Sequence, residues 1–169
     1  MQTIPEFLNA TSSILSFILQ IPPVAPSASV RTMMLLRLTN EILENVPGYF
    51  PEPDVLPILL DFLDDLDEAW LVVLRGKIWQ PRESDSDDEK KGEEDSAETR
   101  TTTLLSQTEQ TRLRSLLRGA SGRFEDWLIE NDPSAQSQLD SVAVHPGFGQ
   151  LFIRSLEELD GLEDGMDVD

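Results

Sequence analysis

Apolar residues recur every three or four positions over much of this chain, which is the period of the α-helix. The pattern is densest from Pro53 to Trp79. There Val55, Leu56, Ile58, Leu59, Leu60, Phe62, Leu63 and Leu66 lead into the acidic run Asp64 to Glu68, and Ala69, Trp70, Leu71, Val72, Val73 and Leu74 follow, with Gly76 near the end. The spacing predicts two short helices back to back. Asp54 is placed to cap the first, which makes Pro57 tolerable in its opening turn, and the acidic run supplies a cap and first-turn charge for the second. A single bent helix is the alternative. The second half is apolar nearly all round, so it has no solvent face and must be covered, by the chain or by a partner.

Thr3 and Glu6 stand at capping-box spacing ahead of a helix carrying Phe7, Leu8, Ala10, Ile14, Leu15, Phe17, Ile18 and Leu19. That helix begins amphipathic and ends apolar on most sides. Pro22, Pro23 and Pro26 make Ile21 to Ser29 a stiff, extended connection. Ser29 is then placed to cap a helix from Val30 to Val46, stopped by Pro47 and Gly48, and Tyr49 and Phe50 are expected to plug a seam between hairpins. Farther on, Ser106 and Glu109 form a second capping box. Leu113, Leu117, Ala120, Phe124 and Trp127 follow on one helical stripe. One long helix ending near Asn131 is favoured; Gly119 and Gly122 could instead break it or admit a closely packed neighbour. Pro146 opens a last helix with Phe148, Leu151, Phe152, Ile153, Leu156 and Leu159.

The sequence of apolar helix, acidic turn and apolar helix from Leu56 to Leu74 resembles a HEAT-type hairpin. Val30-Arg31 resembles the Val-Arg pair that often opens the second helix of such repeats, and Ala69-Trp70 follows about one period of roughly 40 residues later. The pattern departs at Trp70, which stands where the arginine would be. The resemblance covers Ile4 to Trp79, about two repeats, and implies a scaffold or adaptor surface with no chemistry. Ordinary bundle packing accounts for the same residues.

These elements make an all-α protein, a helical bundle or a short HEAT-like array of five to six helices with a disordered acidic insertion. Residues 1–79 are read as N-terminal hairpins, 80–105 as the disordered acidic loop, 106–159 as helices completing the same domain, and 160–169 as an acidic disordered tail. The loop is too polar to offset its ordering entropy by burial. Within it Ser84 and Ser86 each precede an acid by three residues, the spacing an acidophilic kinase prefers, and are candidate phosphosites. A plain solvated spacer is the alternative.

Charge and chemistry narrow the function. Thirty-two acidic residues against thirteen basic ones leave a net charge of −19. That argues against nucleic-acid binding through phosphates and favours basic protein partners or simple solubility. Without cysteine there is no disulfide, thiolate zinc site or thiol catalysis. The most apolar N-terminal run, Ile14 to Ile21, is too short to cross a membrane, and the nucleus or cytoplasm is expected. His145 is the single histidine and supports neither a metal cluster nor a Ser-His-Asp triad. Asp61, Asp64, Asp65, Asp67 and Glu68 lack the central glycine and terminal glutamate of an EF-hand loop. No catalytic residue, cofactor or metal ligand is therefore assigned. The expected role is a non-catalytic adaptor or complex subunit, or alternatively an acidic escort for a basic client such as a ribosomal protein or histone. Trp70, Trp79, Phe124 and Trp127 are the candidate anchors of either the core or an interface, since large aromatics dominate interface energetics; a plain core role for most of them is the alternative. Arg114 and Arg118, with Arg112 and Arg123, are a candidate docking face for an acidic partner, or else pair with neighbouring acids.

Overall fold

The computed structural model describes residues 3–78, 105–131 and 148–164. Over these the helical period is realised as five α-helices: α1 (Ile4–Leu19), α2 (Ser27–Asn45), α3 (Leu56–Leu74), α4 (Gln107–Asn131) and α5 (Ile153–Asp164). Two short 3-10 turns, Val46–Gly48 and Phe148–Gln150, follow α2 and precede α5. The fold is all-α.

Both capping boxes form. The Thr3 N–H donates to Glu6 Oε2 at 2.9 Å and the Glu6 N–H donates back to Thr3 Oγ1 at 3.4 Å. At the start of α4 the Ser106 and Glu109 pair repeats this at 2.8 and 3.3 Å. Each box satisfies donors that the first turn of a helix leaves without partners.

The stretch expected to be two helices is one. α3 runs unbroken from Leu56 to Leu74. Asp61, Asp64 and Asp65 are exposed and Glu68 half-buried, at spacings of three and four, so the acidic run is the polar face of a continuous helix and not a turn. The HEAT-type hairpin is therefore absent here, and the resemblance it carried does not extend to the fold. Asp54 does not cap: Val55 holds that position without a side-chain bond. The helix ends on Gly76, at φ 61°, with the Gly76 N–H donating to Val73 O and the Lys77 N–H to Val72 O. This is a Schellman stop, for which a left-handed glycine is the natural residue.

Other boundaries also move. α2 begins at Ser27, so the proline-rich connection is shorter than expected, and Ser29 lies in the first turn with its hydroxyl donating to Pro26 O. Tyr49 packs on Phe7, ring centroids 5.8 Å apart, but Phe50 is 66% exposed and plugs nothing. α5 starts at Ile153 and continues to Asp164, into the segment from 160 that was expected to be a disordered tail.

α4 passes straight through Gly119 and Gly122. A Cβ built at either would meet nothing within 4 Å, so no neighbouring helix needs the space. Both glycines are a conformational cost without a packing return. Gly122→Ala is accordingly expected to stabilise the protein by about 0.5–1 kcal/mol. Chemical denaturation reads this as a raised midpoint at unchanged slope; a lowered midpoint would mean that α4 is not helical there.

α3 is the central element. It packs against α1, α2 and α5, and α4 closes against α2 and α5. One apolar core runs through all five helices, from Ile4 to Leu159. The segment from Ala69 to Leu74, which needed a cover, receives it from the chain itself: Ala69, Trp70, Val73 and Leu74 are buried, and Leu71 and Val72 half-buried.

Candidate interaction surfaces

Three of the four aromatic residues proposed as anchors, Trp70, Phe124 and Trp127, belong to the core. Trp70 has no exposed surface; its Nε1 donates to Thr39 Oγ1 at 3.0 Å, and the Thr39 hydroxyl donates in turn to Leu35 O at 2.8 Å. Trp127 is buried and donates from Nε1 to the Tyr49 carbonyl at 2.9 Å. Phe124 is fully enclosed, with ring centroids 6.1 Å from Trp127 and 5.7 Å from Phe148. Of the two roles expected for these three side chains, core or interface, their burial corresponds to the core. Trp79, Ser84, Ser86 and His145 lie outside the described residues.

The densest polar cluster joins α3 to α5. Asp67 is buried, and its Oδ1 accepts the Ser155 backbone N–H at 3.0 Å and a short bond from the Ser155 hydroxyl. Its Oδ2 accepts Arg154 Nε at 2.9 Å, and Arg154 Nη2 reaches Asp64 Oδ1 at 2.6 Å. The residue before α5, Phe152, sits at φ 59° with its ring buried and cannot cap the helix. Asp67 does so from another helix, placing a carboxylate at the end where free N–H groups and the helix dipole favour negative charge. The bond to Asp67 holds the Arg154 guanidinium above its ordinary range. Across the same seam Arg75 pairs with Glu158 at 2.8 Å. Carboxylate and hydroxyl are both saturated by structural bonds, so the arrangement is a staple with no free base or nucleophile. Among the described residues no three metal-binding side chains gather.

Arg31 is a second buried charge. Its Nη1 donates to Lys77 O at 3.0 Å and its Nη2 to Leu19 O at 3.3 Å, tying together the ends of α1 and α3. Its Nε has no partner among the described residues, and burial draws the guanidinium below its usual range.

The arginines of α4 divide between two faces. Arg114 donates to Asp160 Oδ1 at 3.1 Å and to Leu159 O at 2.9 Å, and Arg118 reaches Asp160 at 3.5 Å. These two hold α5. Arg112 and Arg123 instead line a groove toward α2, together with Arg37, which the charge pattern of α4 alone could not bring in.

A different surface remains open on α1. Its buried stripe is Ile4, Leu8, Thr11, Leu15 and Ile18. One position round the helix runs a second stripe, Phe7, Ala10, Ile14 and Phe17, at spacings of three, four and three. Phe7 leans on Tyr49, but Ala10 is exposed, Ile14 is 47% exposed and Phe17 62%. The remaining side carries Asn9, Ser13, Ser16 and Gln20, and no charged residue occurs between Phe7 and Ile21. The apolar arc is thus wider than the core it serves, the excess that the sequence showed as a helix apolar on most sides.

Among the described residues no helix is long and apolar enough to cross a membrane. Compared with protein families, curated proteins and solved structures, the chain finds no match.

Proposed function

We propose that this protein is a non-catalytic adaptor or subunit of a multiprotein complex, held through the outward stripe of α1. The supporting observation is that stripe: Ala10, Ile14 and Phe17 are apolar and exposed on a helix without charge between Phe7 and Ile21. Charged residues are depleted at the centres of interfaces, and an apolar stripe at alternating spacings of three and four is what a partner helix packs against. In a chain with net charge −19 the absence of charge from the thirteen positions between Phe7 and Ile21 is selective. The partner reading places the protein in the nucleus or cytoplasm, in a hetero-complex.

The test uses the open stripe, since the buried aromatics would only report folding. Phe17→Asp, with Ile14→Asp as a second variant, is expected to change stability by no more than about 0.5 kcal/mol, because both side chains already face water. In affinity purification from the native cell these variants are expected to lose partners that the unmodified chain retains through a high-salt wash. Retention of the same partners by both variants would remove α1 as the docking face. The strong acidity supports a second reading, an acidic escort for a basic client. Its mark is capture that fails as salt rises and is indifferent to Phe17→Asp.

A further inference from the structure

Eight arginines lie among the described residues, and five of them are bonded: Arg31 to carbonyls, and Arg75, Arg114, Arg118 and Arg154 to acids. The three without an ion pair there, Arg37, Arg112 and Arg123, all line one groove between α2 and α4. The groove consists of two adjoining hollows of about 380 and 470 Å³ that share Leu36, Asn40, Thr108 and Arg112. Leu36 and half-buried Leu116 form its floor, and Met33, 60% exposed, stands at one end. Gly119 leaves the wall open. Glu109 also reaches the groove, its Oε2 accepting from the Ser106 N–H and hydroxyl at the start of α4, so the groove holds one anion against three cations.

In a chain with more than two acids for each base, three arginines carry no ion pair among the described residues and line one groove, above an apolar floor. From this we infer that the α2–α4 groove is a docking site for an acidic amphipathic helix of a partner protein, separate from the stripe on α1. The chemistry fits on both counts. Guanidinium forks pair with carboxylates in two-pronged fashion, and a groove between two helices takes the apolar face of a third. Arg112 and Arg123 stand three turns apart on α4, about 16 Å. The incoming helix therefore carries acids at about that separation, with large apolar residues between them to meet Leu36, Leu116 and Met33.

The probe is a fluorescein-labelled helical peptide with two leucines one turn apart, bracketed by glutamates about three turns apart. Binding to the full chain is read by anisotropy. The peptide is expected to bind, to weaken as salt rises, and to lose at least tenfold in affinity with R112E/R123E. Those side chains are exposed and carry no ion pair among the described residues, so an unchanged denaturation midpoint verifies folding. Gly119→Tyr, which keeps every arginine and adds bulk to the open wall, is expected to weaken binding as strongly. Binding that survives both variants, or that is equal for a peptide with serines in place of the leucines, overturns the assignment. So does tighter binding once Asp85, Asp87, Asp88 and Glu89 are neutralised, which would make the chain's own acidic run the occupant. A dimer of the free chain abolished by R112E/R123E would give the groove to a second copy and overturn it as well.

Discussion

Trp70→Ala is expected to lower the free energy of unfolding by about 4 kcal/mol, since removing a buried tryptophan costs both the transfer energy of its ring and the cavity left behind. A domain of this size is stable by only about 5–15 kcal/mol, so the variant sits near the edge of folding. The site leaves little room for collapse. Trp70 lies on the central helix, fully enclosed, and its indole N–H is tied to Thr39 on α2. Trp70→Phe separates the two contributions. It keeps most of the ring volume and removes the bond to Thr39, whose hydroxyl keeps its own acceptor at Leu35. That variant is expected to cost about 1–2 kcal/mol. Urea denaturation followed by circular dichroism measures both. A loss below about 1.5 kcal/mol for the alanine variant would mean that Trp70 is not enclosed, and the aromatic would return as a contact residue.

Asp67→Ala is expected to cost about 3 kcal/mol, far more than its partner Arg154→Ala, at about 1 kcal/mol or less. The asymmetry follows from exposure. Arg154 is substantially in water, its side chain 40% exposed, whereas Asp67 is buried and serves Ser155 as well. Removing the carboxylate leaves the first turn of α5 without its cap, and a cap alone is worth about 0.5–2 kcal/mol. The loss should be local at first. Amide hydrogen exchange is expected to accelerate across α5 before it does so in α1 and α2. Uniform acceleration over the whole chain would show instead that α5 does not open separately.

What could be read from the sequence was what is decided locally. The two capping boxes involve residues three apart, and both form. The stripe from Leu113 to Trp127 is a period within one helix, and every member of it is buried. α3 was misjudged because a run of acids resembles a turn when its faces are not separated: Asp61, Asp64 and Asp65 point to water, while Asp67, among them, points inward. Nothing adjacent distinguishes Asp67, since its partners lie more than eighty residues away. The division of the arginines escaped for the same reason. Arg112 and Arg114 are neighbours in sequence, and only the positions of α2 and α5 decide which one is neutralised. The tryptophans were recognised as important, but sequence cannot tell an anchor that faces a partner from one that faces the core.

The cap that Asp67 provides also orders events in time. α5 has twelve residues and no side-chain N-cap from its own preceding residue, Phe152, and a helix that short is marginal in water when isolated. Its first turn is completed only when a side chain 88 positions earlier is already in place on a formed α3. The cap of α5 thus depends on α3 being formed, whereas no cap of α3 depends on α5. As the chain is synthesised, α1 to α3 emerge before α5 exists, and the side of α3 that α5 will cover, with the Asp67 carboxylate on it, waits open until residues 153–164 arrive.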